Sequence, residues 1–337
     1  MVFANPFARI VVGYDNSPAA DIALEQALLL AQQFSGDVVV VHISDVPVTS
    51  ILQLETAAKA PKSEPIPMLA TLDGIRASLY AKLSARVASC PVPVSLEFSM
   101  NEAATGIRDA AKRWKASAIA VGTHARTGVS HALIGSVAEG VVRGALVPVI
   151  VVREKMPVKP FQRIVVAIDT SEPSTRASAT ALALAREHSV RLVYCSVVDT
   201  ASIVQPTGDM PFNPRHLISG MREAAHDALE FAVQNANLID VYPDTEVADA
   251  IDAATGIVDV ARRHHADAII VGNHKRGDVE RFFVGSTAES VMRHSDVSVI
   301  VVPVSVSIAP DLPAIAVGSS LWRSSHERLG REPRGRD

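Results

Sequence analysis

Short runs of β-branched residues alternate along this chain with longer stretches whose apolar positions recur at helical spacing. In the first half the runs are Ile10 to Val12, Val38 to Ile43, Val92 to Phe98, Ala118 to Val121 and Val147 to Val152. Five such strands separated by helices predict parallel pairing through right-handed crossovers. The first helix has a start signal in Ser17-Pro18, a capping hydroxyl followed by proline at the first helical position. Ala23, Ala27, Leu30, Ala31 and Phe34 then fall along one face. Ser171 is placed to cap the corresponding helix of the second half, where the third strand, near Thr245 to Val247, has the weakest pattern.

The pattern occurs twice. Ala103-Ala104-Thr105-Gly106-Ile107 recurs as Ala253-Ala254-Thr255-Gly256-Ile257, and Gly135-Ser136 recurs as Gly285-Ser286, both displaced by 150 positions. Ile119-Ala120-Val121-Gly122 recurs as Ile269-Ile270-Val271-Gly272 at that offset, while Ile10 to Asp15 matches Ile164 to Asp169 at an offset of 154. Solenoid units run to about 20–50 residues, so a repeat this long is a domain in its own right. Two doubly wound α/β (Rossmann-like) domains are expected, each a five-stranded parallel sheet with helices on both faces: residues 1–152 and 162–304. The charged, proline-interrupted stretch 153–161 reads as a linker, because proline cannot continue a strand ladder. Residues 305–337 read as a loose tail. The proline-rich segments Val46 to Leu69 and Asp199 to Pro214 read as long connections able to cover the mouths of the sheets.

The 337 residues suit two cores, and 48% apolar content with only 4% aromatic fits parallel strands covered on both faces. A formal charge of −4 gives no electrostatic footprint for nucleic acid or an anionic membrane surface, so a small partner is expected. Cys90 and Cys195 alone cannot build a disulfide framework or a four-cysteine zinc site, and both should pack as small apolar groups. The first residues carry no signal-like pattern and no run approaches about 18 apolar residues, so a cytoplasmic protein is expected.

In an open doubly wound sheet, ligands bind beyond the carboxyl ends of the strands, where the chain order reverses. With the first strand central, that point lies between strands one and four: Gly13, Tyr14 and Asp15 with Val121 and Gly122, then Ala167, Ile168 and Asp169 with Val271 and Gly272. Each fourth strand leads to Gly-Ser at a helix start, Gly135-Ser136-Val137 and Gly285-Ser286-Thr287. Free N–H groups and the positive end of the dipole there suit phosphate, and glycine admits it closely.

Gly122 to Ser136 resembles the nucleotide motif of the universal stress proteins, Gly-x2-Gly-x9-Gly-Ser/Thr, with the outer spacing intact; Gly272 to Ser286 is similar. The resemblance covers nearly the whole chain apart from the tail. It implies ATP or a related adenine nucleotide, and an Asp (Asp15, Asp169) near adenine and ribose. It also implies pairing of the two halves through their last strands, with homodimerisation as a further option. Both copies depart from the motif at the second glycine, which is Ala125 in one and Lys275 in the other. A side chain in a left-handed backbone there costs roughly 1–2 kcal/mol, about tenfold in affinity. Ala125 adds one methyl group, whereas Lys275 either obstructs the phosphate path or adds charge to it, so the first half is the preferred site. Arg126 and Arg276 follow the loops and could neutralise phosphate, or remain surface residues.

His124 and His274 stand at matching loop places without a carboxylate or cysteine at metal spacing, and His264-His265 are adjacent on a helix and point apart, so no metal is expected. No catalytic residue is assigned. The leading function is a stress-related nucleotide-binding module; the alternatives are an interaction protein with degenerate motifs and a weak ATPase. Asp15-Asn16-Ser17-Pro18 differs from the Ser-Gly-Gly loop of adenylating pyrophosphatases, and Walker, dinucleotide and nucleophile-elbow motifs are missing.

Overall fold

The computed structural model describes residues 5–44, 67–123, 134–201, 214–273 and 285–305. In the first half these form β1 (Arg9–Gly13), α1 (Pro18–Gln33), β2 (Asp37–Ser44), α2 (Pro67–Val87), β3 (Val94–Met100), α3 (Ala103–Arg113), β4 (Ala118–Thr123), α4 (Ser136–Gly144) and β5 (Val149–Arg153). The second half repeats the order as β6 (Arg163–Ala167), α5 (Glu172–His188), β7 (Arg191–Asp199), α6 (Pro214–Asn237), β8 (Asp244–Ala250), α7 (Ala253–Arg263), β9 (Ala268–Asn273), α8 (Ser286–His294) and β10 (Ser298–Pro303). Both first helices start as the sequence predicts. Ser17 Oγ accepts from Ala20 N at 3.1 Å and Ser171 Oγ from Ser174 N at 3.3 Å.

All ten strands belong to one sheet, in the order β3-β2-β1-β4-β5-β10-β9-β6-β7-β8. Pairing is parallel within each half and antiparallel at the centre, where Ile300 stands beside Ile150. The last strands pair across the two halves, as the resemblance implies, and so cover one another's edges. Their side chains alternate between two layers: Ile150 and Ile300 join the core under α1, α2, α5 and α6, while Val149, Val151, Val299 and Val301 join the one under α3, α4, α7 and α8. Cys195 is buried in the second layer and Cys90 is half-buried beside the first.

Several boundaries differ from the sequence reading, with local causes. β3 begins at Val94 rather than Val92, and β5 at Val149 rather than Val147, because Pro93 and Pro148 lack the N–H a ladder needs. Each proline still contributes its carbonyl, to Val38 N at 3.0 Å and Ile119 N at 2.9 Å. β8 extends well beyond Thr245 to Val247. Pro67 to Leu69 are helical, Asp199 ends β7 and Pro214 opens α6; residues 45–66, 202–213 and 306–337 lie outside the described residues. α7 stops at Arg263, so His264-His265 are not on a helix: His264 is the cap and His265 takes the left-handed conformation (φ 50°) that ends helices.

Between β5 and β6 the chain is held by two glutamines of α1. Gln26, fully buried, donates to Lys159 O at 3.0 Å and accepts from Lys159 N at 3.3 Å. Gln33 does the same for Phe161, at 2.8 and 3.0 Å. About two helical turns apart, the two amides stand in for a strand along the connection. Gln26→Leu keeps the volume and removes both bonds, leaving the Lys159 backbone without these partners. Urea denaturation should show a loss of about 1–3 kcal/mol, and an unchanged midpoint would mean that Gln33 and the ends of the connection hold it without Gln26.

Candidate functional site

β1 and β4 are neighbours in register, Gly13 beside Val121, and the chain turns outward from them in opposite directions along the sheet. This is the crevice-forming arrangement of doubly wound sheets. A cavity of about 430 Å³ occupies it in the first half. The predicted residues Gly13, Tyr14, Asp15, Val121, Gly122, Gly135, Ser136 and Val137 all line it. Val41, Ile43 and Ile107 add apolar wall, and Val137 stays exposed at the start of α4.

The three glycines do different work. A Cβ on Gly122 would lie 2.4 Å from the carbonyl of Ala19, so this glycine lets α1 approach the end of β4. At Gly13 it would lie 2.5 Å from Ile107 Cδ1. At Gly135 the nearest atom would be Thr123 Oγ1 at 3.5 Å, an ordinary contact, and φ is −62°, open to any residue. Among the described residues, neither crowding nor backbone conformation therefore requires glycine at 135. Among the described residues its consequence is an open cradle at the start of α4, where the N-cap glycine offers no side chain to the first N–H groups. Gly135 N–H itself donates to Thr123 Oγ1 at 2.8 Å.

Tyr14 lines the cavity, but its hydroxyl donates to Asp21 Oδ1 at 2.6 Å, and Asp21 pairs with Arg86 at 2.8 Å. Burial first, then this hydrogen bond, push its pKa well above the ordinary tyrosine value. Asp15 is exposed and turns Oδ1 onto Ser17 N at 3.0 Å. Cys195, on β7, is raised to about 12 by burial and the nearby Glu246, so it stays a thiol at ordinary pH.

In the second half Ala167, Ile168 and Asp169 follow β6, whose pairing with β9 brings Val166 beside Ile270; Val271 and Gly272 follow on β9. Gly272 repeats the close approach, its Cβ position 2.4 Å from Pro173 C. α8 begins at Ser286-Thr287, and Gly285 N donates to Asn273 Oδ1 at 3.0 Å. The rim is bonded differently. Asp169 N donates to Ser174 Oγ at 2.9 Å and Ser174 Oγ to Ala167 O at 3.3 Å. Ser174 occupies the repeat position of Ala20, which lines the first cavity with a methyl group, and Ala167 carries the methyl that Gly13 lacks. The loops bearing His124, Ala125 and Arg126, and His274, Lys275 and Arg276, lie outside the described residues.

Sequence reasoning missed Thr123 and Asn273, both buried and both anchoring the helix-start glycine. A signal was present: at the same repeat position, directly after the first motif glycine, each copy carries a short side chain with an acceptor oxygen. Among the described residues no cluster of three or more His, Cys, Asp or Glu could hold a metal, and no helix is long and apolar enough to cross a membrane.

The family model described as the universal stress protein family matches residues 6–153 and again 160–303, so the chain belongs to that family, with two of its domains in tandem. A universal stress protein of Methanocaldococcus jannaschii is 29% identical over 42% of this chain and 82% of its own length. One from Mycobacterium tuberculosis is 27% identical over 64% of this chain and 66% of its own, just under two thirds. Among solved structures, a universal stress protein from Archaeoglobus fulgidus covers 89% of this chain and 99% of its own at TM-score 0.67 and 18% identity. A putative one from Pseudomonas aeruginosa covers 88% and 93% at TM-score 0.58 and 14% identity. At such identities the two structures speak for the fold.

Thr123→Val removes the acceptor of the Gly135 N–H, and should cost about 1–3 kcal/mol in urea denaturation; no loss would mean that water replaces the hydroxyl. Tyr14 gives a pH signature. Its folded pKa is raised, so its contribution to stability is complete below the unfolded value near 10 and declines as pH rises beyond it. Stability profiles across that region should be flatter for Tyr14→Phe than for wild type, and identical slopes would disprove the coupling.

Proposed function

We propose that the first half binds an adenine nucleotide, ATP in the first place, and acts as a cytoplasmic stress-response module without obligatory turnover. The observation that carries this reading is Gly135: among the described residues nothing crowds the space beside it, at a helix start whose N-cap glycine supplies no side-chain cap and where phosphate is favoured. The cavity's volume is within the range of small-ligand sites. Its apolar wall of Val41, Ile43, Ile107 and Val121 suits a flat base, and Asp15 suits hydroxyl groups of a ribose. The motif resemblance points to the same ligand. Binding is favoured over hydrolysis because both acids among the described lining residues are engaged by protein groups, Asp15 by Ser17 N–H and Glu139 by Arg143. The second half, with Ser174 bonded across its rim, should bind more weakly.

Calorimetry with ATP on the intact chain tests this. Gly135→Val places methyl groups in the cradle with no described backbone in the way and should weaken binding at least tenfold with only a slight fall in melting temperature, as expected for Val at an N-cap, while Gly285→Val should matter less. A larger effect at Gly285 would move the site to the second half. No binding by wild type would favour an interaction protein that has lost its ligand.

A further inference from the structure

The duplication makes each half a control for the other, and the two halves part company at the end of the sheet opposite the cavity. In the first half β1 begins with Arg9 and β2 with Asp37, register partners. Arg9 Nε and Nη2 donate to the two Asp37 oxygens at 2.7 and 2.8 Å, and Nη1 donates to Trp114 O at 2.9 Å. In the second half β6 begins with Arg163 and β7 with Arg191, again register partners. Arg163 Nη1 donates to His264 O at 2.6 Å, as its counterpart does to Trp114. The carboxylate, however, has become a second guanidinium.

Register partners of adjacent strands lie about 4.8 Å apart and project from the same face, where like charges are destabilising. Among the described residues no acceptor meets Arg163 Nε or Nη2, the edge that in Arg9 grips Asp37, and none meets the Arg191 side chain. Both arginines line a groove of about 880 Å³ with His188, His265 and, from α1 of the first half, Gln32. The one acid among the described residues of its lining, Asp267, is already engaged: Oδ1 pairs with Lys159 Nζ at 2.7 Å, and Oδ2 accepts from Gln162 N and Arg163 N, both at 2.8 Å.

We propose that this groove binds a small oxyanion-bearing metabolite, a phosphate ester or polycarboxylate, whose oxygens take the place that the Asp37 carboxylate holds in the first half. A guanidinium edge grips either group through two parallel hydrogen bonds, and the groove's volume suits a small molecule. The site is separate from the nucleotide cavity and does not depend on it. Because α1 and the β5–β6 connection form one wall, occupancy would also tie the halves together.

The test is calorimetry on the full chain at low ionic strength with inorganic phosphate and, separately, citrate. One site per chain is expected, kept in Gly135→Val and weakened at least tenfold in Arg191→Asp, which installs the first half's ion pair. Arg191→Asp should also melt higher than wild type in anion-free buffer; should it fail to fold, Arg191→Gln removes the charge alone and should weaken binding likewise. Tighter binding of phosphate identifies a phosphoryl ligand, and tighter citrate a carboxylate. Binding of neither anion at millimolar concentration, equal binding by the Arg191 variants, or loss of binding in Gly135→Val would overturn the proposal.

Discussion

The pairing of β5 with β10 is the constraint on which the rest of the molecule depends. Each half ends in a strand of valines and isoleucine whose free edge would offer unpaired backbone groups to any passing strand. Joined antiparallel, the two edges disappear and the two cores become continuous across the junction. The same pairing places the switch points of the halves on a common sheet, and it brings α1 within reach of the chain between them. The glutamine clamps and the arginine-lined groove both exist because the halves meet in this way.

Within each half the site follows from close packing. Gly122 and Gly272 admit the start of the first helix against the end of the fourth strand, and that approach helps shape the crevice. A motif glycine is thus readily credited to a ligand when its neighbour is a helix. Gly135 is the reverse case, a glycine that no described residue crowds. Two residues of the same type in one motif answer to different physical demands, packing in one and access in the other.

Much of this was readable in the chain. The repeat, the alternation of strands and helices and the capping serines follow from patterning that tertiary contacts reinforce, and the eight first-half site residues within the described segments converge because they sit at strand ends and a helix start. Strand starts at prolines were misjudged because apolar character outvoted the missing N–H at Pro93 and Pro148. Thr123 and Asn273 were missed because a short polar residue inside a buried strand gives no periodic signal. The Arg163 and Arg191 pair is invisible locally: each resembles an ordinary strand-start residue until the register sets them side by side and the first half supplies the expected partner.

The central seam also has a bearing on synthesis. β5 is complete at Arg153, but its partner β10 is the last strand of the described chain, beginning only at Ser298. At translation speeds of about 5–20 residues per second, that delay lasts on the order of ten seconds. Throughout it, a folded first half would hold out a bare apolar edge beside the ribosome, where nascent copies of the same chain are its nearest neighbours. A tandem gene shortens the search for the right partner by tethering it, yet it obliges the first domain to wait.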